Sequence, residues 1–336
     1  MAYGTVPQRK IQIGQESSAG GAVAATKIWR GPGVQIDPGL VVVRPSENVG
    51  LLVDTDRSYV PSKLATLDFP ETEATYENVL YPLNAGVKAV LTGVADGSGT
   101  GKIYDFPVSE VGGVNAVKTF TLEAGDNNSV SEIEYAFCSE FTLTWAAKEA
   151  LKLSSKWVGR QRTVSAFTSL TFATAALAEE EILAPKIFVD DSTIGSGQIQ
   201  GSLIGYQATY TTGIIPLFTA DGSPMFYGIK YTKPTLNLKM TYEHDANATT
   251  EYAKFVAQTT RRIRIQHQGS ALTIGNGAYA VKTFLLDLAG RYTSFPPYGE
   301  QDGDNVITCE VQAGYISASV ALFARFCVVN LLAAVL

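Results

Sequence analysis

Strict alternation over residues 131–145 constrains this chain more than any other feature. Ile133, Tyr135, Phe137, Phe141, Leu143 and Trp145 share one parity, and Glu132, Glu134, Glu140, Thr142 and Thr144 share the other. Strand side chains point alternately to opposite faces of a sheet. A period of two therefore predicts a strand with one dry face and one wet face. Residues 235–243 repeat the pattern, with Leu236, Leu238, Met240 and Tyr242 inward and Thr235, Asn237, Lys239, Thr241 and Glu243 outward. Shorter runs predict further strands over 40–44, 151–160, 206–211, 262–268, 282–287, 306–311 and 320–330.

Two stretches read as helices. Tyr76, Val79, Leu80 and Leu83 have i, i+3, i+4, i+7 spacing, and Pro82 limits the length of that helix. Tyr252, Phe255 and Val256 form a second stripe after a turn-like segment, with Asn247 as the expected cap. Few helices among many strands define a β-rich α+β class. The length of 336 residues favours two domains. Ala116-Val-Lys-Thr-Phe120 recurs as Ala280-Val-Lys-Thr-Phe284 within a similar order of elements, which suggests duplication. The expected layout is an N-terminal arm over 1–36, a β domain over 37–160, a linker over 161–181 and a second β domain over 182–336. Trp29 would serve either as a docking anchor or as a core residue.

Charged residues make up only 17% of the chain, which suits a surface largely covered by neighbours. The net charge of −6 argues against a surface that grips nucleic acid. Cys138, Cys309 and Cys327 are widely spaced and odd in number, so buried thiols are expected rather than disulfides or a zinc site. No apolar h-region follows Met1, so no secretory signal is expected. The apolar run over 320–336 carries Arg325 and is short for a membrane span, so it reads as a buried strand.

Catalytic chemistry is hard to find. Gly97-Ser-Gly-Thr-Gly-Lys102 resembles a phosphate loop, but Asp96 stands where its first glycine belongs and Ile103 follows the lysine. A hairpin tip is the expectation there. His244 and His267 lack partners at ligand spacing, although Glu243 and Asp245 flank the former. Asp190-Asp191 and Asp302-Gly-Asp304 read as turns. Arg261, Arg262 and Arg264 form the one basic cluster, expected at a subunit contact. No catalytic residue, metal or cofactor is expected.

Several stretches taken in order resemble the tail-tube (major tail) proteins of long-tailed phages. They are the segment 74–83, the strand pair over 135–145 and 148–160, Phe188-Val-Asp-Asp191, and 287–293 followed by 306–330. The resemblance implies tandem β-sandwich domains, each flanked by a short helix. Their inner sheets would join between subunits into a barrel around the tail channel. A duplicated chain would need three copies for a pseudo-sixfold ring, stacked through loops or the N-terminal arm. The implied partners are further copies of the chain, other tail proteins at the tube ends, and a tape measure protein and DNA passing through the lumen. No membrane partner is implied. The implied location is the virion tail, after synthesis in the host cytoplasm. Within that picture Glu132, Glu134, Glu140, Thr142 and Thr144 are candidates to line an acidic lumen. The alternative is another virion or cell-surface β-sandwich, a capsid decoration or a carbohydrate-binding module, with its aromatic patch around Tyr292 to Tyr298.

Overall fold

The computed structural model describes residues 4–108, 115–172, 179–316 and 322–335. Strands dominate it. They are β1 (Lys10–Gln15), β2 (Lys27–Ile28), β3 (Ala65–Glu73), β4 (Val94–Ala95), β5 (Lys102–Pro107), β6 (Phe120–Gly125), β7 (Val130–Ala146), β8 (Lys152–Gly159), β9 (Arg162–Ser165) and β10 (Pro185–Asp190). There follow β11 (Gln198–Ile199), β12 (Leu203–Thr211), β13 (Ile214–Leu217), β14 (Gly228–Tyr231), β15 (Thr235–Glu243), β16 (Arg261–Ala271), β17 (Val281–Ser294), β18 (Gly299–Gln301), β19 (Asp304–Ala313) and β20 (Ala324–Asn330). Helix α1 (Leu80–Gly86) follows β3, and α2 (Ala246–Val256) follows β15.

Six strands form a front sheet in the order β3-β8-β7-β12-β15-β19, every pair antiparallel. Two back sheets pack behind it. One runs β2-β1-β6-β7-β9, the other β11-β10-β16-β17-β20-β5-β4. Two long strands tie front to back. The N-terminal part of β7 pairs with β6 and its C-terminal part with β8 and β12, and the end of β17 leaves the back sheet to pair with β19. One apolar core fills the space between the layers. Trp157 sits between Phe69 and Phe120 in the first half, and Phe141, Tyr210 and Phe326 meet in the second. Burying an aromatic side chain of this size contributes roughly 1.5–3 kcal/mol.

All nine expected core residues are buried, but they do not share one face. Strand β7 carries two bulges. Its register shifts once against β6, beside Tyr135 with φ 58°, and once against β8, between Cys138 and Glu140. Each bulge adds one residue and so exchanges the faces. The main core therefore takes Ile133, then Ala136 and Cys138, then Phe141, Leu143 and Trp145. Tyr135 and Phe137 point the other way, into a small cluster with Ile214 and Phe226 under the β13–β14 hairpin.

Other expectations change for local reasons. The stretch read as an N-terminal arm supplies β1, with Ile11 and Ile13 fully buried, and Trp29 packs in the core against Phe69 and Tyr81. Residues 40–44 form no strand, because their apolar run meets a single backbone bridge, Val43 to Tyr59. The cap of α2 is Asp245, whose carboxylate accepts from the Ala248 amide at 2.9 Å, while Asn247 donates to Asp245. Pro82 lies in the first turn of α1, where a missing N–H costs nothing. The linker reading covers residues 173–178, which lie outside the described residues, as do 1–3 of the arm, 320–321 of the last predicted strand and the terminal residue 336.

Candidate assembly surface

The face of the front sheet turned away from the core is polar across all six strands. Register places Thr142 beside Ser154 and Thr209, and Thr209 beside Asn237 and Gln312 in turn. The next row runs Lys152, Thr144, Gln207, Lys239 and Glu310, and a third runs Asp68, Lys156, Glu140, Thr211 and Thr235. Hydroxyls bond across strands here, Thr142 to Thr209 at 3.2 Å and Thr241 to Thr308 at 3.0 Å. Glu140 pairs with Lys156 at 2.8 Å and Glu310 with Lys239 at 3.1 Å. Against the carboxylates Asp68, Glu73, Glu140, Glu243 and Glu310 stand the ammoniums Lys152, Lys156 and Lys239, so both signs are mixed across this face with a small acidic excess. The Lys156 pKa is raised by its bond to Glu140.

Of the five lumen candidates, Glu140, Thr142 and Thr144 lie on this face. Glu132 and Glu134 do not. They precede the bulges, in the part of β7 that belongs to a back sheet, where Glu132 lies opposite Glu123 on β6 and Thr163 on β9. Two sheets packed on one core turn their other faces in opposite directions, so these carboxylates belong to the far side of the molecule. Burial raises the pKa of Glu132, and the neighbouring carboxylates Glu123, Glu134 and Glu16 raise it further. Burial also raises that of Glu134.

The margin of the front sheet at β3 is open. Among the described residues the backbone partner on its outer edge is Asp37, which exchanges two bonds with Thr66, and at the strand's end the Asn78 side chain donates to the Glu73 carbonyl. Pro70 and the register shift between Phe69 and Thr72 end the regular edge. Beside this margin the loop over 38–62 carries apolar side chains into solvent: Leu40, Val41, Val42, Val49, Leu51, Leu52 and Val53, with Leu52 fully exposed. Solitary globules seldom leave a run of aliphatic residues of this length bare.

Most of the residues considered for chemistry are engaged in contacts within the fold. Arg261 is buried, bonding Glu251 at 2.7 Å and also Asp191, which a further bond ties to Lys254 at 2.7 Å. Arg264 grips Asp287 with two bonds at 2.7 and 2.8 Å, and Arg262 donates to the Asp191 carbonyl. The basic cluster is thus bonded within its own chain. His267 is fully buried between the Tyr206 hydroxyl, 2.7 Å away, and the Leu183 carbonyl, and burial pushes its pKa down to about 4. His244 is exposed and stacks on Tyr298. The three thiols are free and buried, and desolvation raises each pKa. Residues 97–101 form the tip between β4 and β5, where the Asp96 carboxylate accepts from the Ala278 and Tyr279 amides. Among the described residues no cluster of three or more metal-ligating side chains occurs, and no helix is long and apolar enough to cross a membrane.

No protein-family model matches the sequence, and no curated protein matches it. The features of the surface come from the fold itself. The open margin at β3 and the bare loop escaped sequence reasoning. A signal for the loop was present in Val49-Gly-Leu-Leu-Val53, an apolar run too short and too glycine-broken for a core strand.

Proposed function

We propose that this chain is a structural subunit of a phage tail tube, not an enzyme. Its front sheets would join edge to edge around a channel for the genome and the tape measure protein. The observation that carries this reading is the continuous six-stranded sheet, polar on one face, open at β3 and flanked by a bare apolar loop. An unpaired strand edge is a template for another chain, and closure into a ring removes it. The pairing of β7 with β12 supports a duplicated arrangement, since it joins the front strands of the two halves within one chain. The recurrence of strand, helix and then the Ala-Val-Lys-Thr-Phe segment supports it too, with Phe120 and Phe284 both buried in back sheets. Three chains would then make a ring of six front-sheet units. The hydroxyl- and amide-rich face suits a lumen that must not hold DNA, because it offers phosphate no cluster of unpaired cations. Negative-stain microscopy of the purified chain tests the reading. Rings or tubes with threefold or pseudo-sixfold symmetry are expected; monomers at every concentration, with the chain absent from virions, would overturn it.

A further inference from the structure

A second surface lies beside α2, apart from the front sheet. Phe295 is almost buried there and is held by three rings, Tyr252 at 5.5 Å, Phe255 at 5.9 Å and Tyr292 at 5.6 Å, and Tyr252 also packs on Phe255 at 6.3 Å. Pro296 and Pro297 then fix the chain up to Tyr298, whose ring stacks on His244 at 5.2 Å with 28° between planes. Between these groups opens a cleft of about 500 Å³, floored by Phe295 and Ile307. Two tyrosines stay open to it, Tyr252 at 50% and Tyr298 at 60% exposure. An aromatic ring held rigid by other rings yet left half in solvent loses little freedom when a ligand covers it.

The chemistry of the lining narrows the ligand. No carboxylate, ammonium or guanidinium lines the cleft; its polar groups are the tyrosine hydroxyls, the His244 imidazole and Thr249. The nearby Asp245 carboxylate is turned to the α2 cap, and Glu251 is committed to Arg261 and to the Tyr292 hydroxyl. Phosphorylated and acidic ligands would find no counter-charge. A ligand that presents apolar C–H faces to the rings and neutral hydroxyls to the rim matches both halves of the lining. The volume lies within the range of small-ligand clefts. We propose that this cleft binds a neutral saccharide, stacked on Tyr298 and Tyr252 and hydrogen-bonded at its rim. Binding there does not require assembly, so it can fail or hold regardless of the tube reading.

Calorimetric titration of the full chain with maltohexaose, cellohexaose and chitohexaose tests this. Saturable binding of at least one is expected. Tyr298→Ala or Tyr252→Ala should weaken it by roughly tenfold or more, equivalent to about 1.4 kcal/mol, while Tyr298→Phe keeps the stacking face and most of the affinity. Ring resonances of Tyr252 and Tyr298 in the unmodified protein should shift during the titration, a readout that needs no variant to fold. Absence of binding to all three, unmoved tyrosine resonances, or a folded double alanine variant binding as well as the parent would each overturn the proposal. So would preferential binding of an acidic oligosaccharide or a proline-rich peptide at the cleft.

Discussion

His267 carries the clearest pH response of any single side chain. Its pKa is lowered in the folded state to about 4, from an ordinary value of 6.5. The unfolded chain therefore binds the additional proton between those values, and stability falls as pH drops through that window. The change amounts to about 3 kcal/mol by pH 4. Unfolding free energies measured at pH 7 and pH 4.5 should diverge more for the parent than for a His267→Gln variant; equal pH dependence would show that the ring is not held neutral. This role was not legible in the sequence, where His267 had no neighbour of interest. Its partners, Tyr206 and Leu183, are 61 and 84 residues away in the chain. The arginines show the same limit. Alternation put Arg262 and Arg264 on one face, but only tertiary pairing reveals that Asp287 and Asp191 use them up.

At the scale of elements, alternation located β7 and β15 well and misjudged only the faces of β7. Parity counting assumes an unbroken pleat, and the two bulges that break it depend on β6 and β8, not on the sequence of β7 alone. Strands such as β1 and β6 went unread because each has only a few apolar residues, too short a period to detect. Conversely the run over 40–44 looked like a strand and is a bare loop. That loop yields a prediction of its own. Lysine at both Leu51 and Leu52 should change monomer stability by no more than about 0.5 kcal/mol, as for exposed sites generally. Assembly should nevertheless be lost in sedimentation velocity. Normal assembly of this variant would assign the loop no part in contacts between copies.

The whole molecule exposes 16084 Å². A compact monomer of this length would expose about 13,000 Å². The excess fits a chain with protruding loops and uncovered sheet. In β3 the backbone of Thr66 points outward to Asp37, so Asp68, two residues on, turns its own N–H to the same open side. Asp68→Pro removes that donor without touching the ladder to β8. Monomers should survive, with melting close to the parent's, and ring formation should fail. Rings that form unhindered would move the joining margin elsewhere.

The join between β7 and β12 has a kinetic consequence. Seven consecutive residue pairs, from Gly205 with Ala146 to Thr211 with Glu140, zip together inside a single polypeptide. Such a junction closes at a rate set by the tether and not by how often molecules collide. In a closed collar built from this chain, every internal junction of this type would already be made before two copies meet. Dilution could then attack only the remaining junctions, and the collar would resist falling apart at concentrations where one assembled from separate half-sized pieces would not.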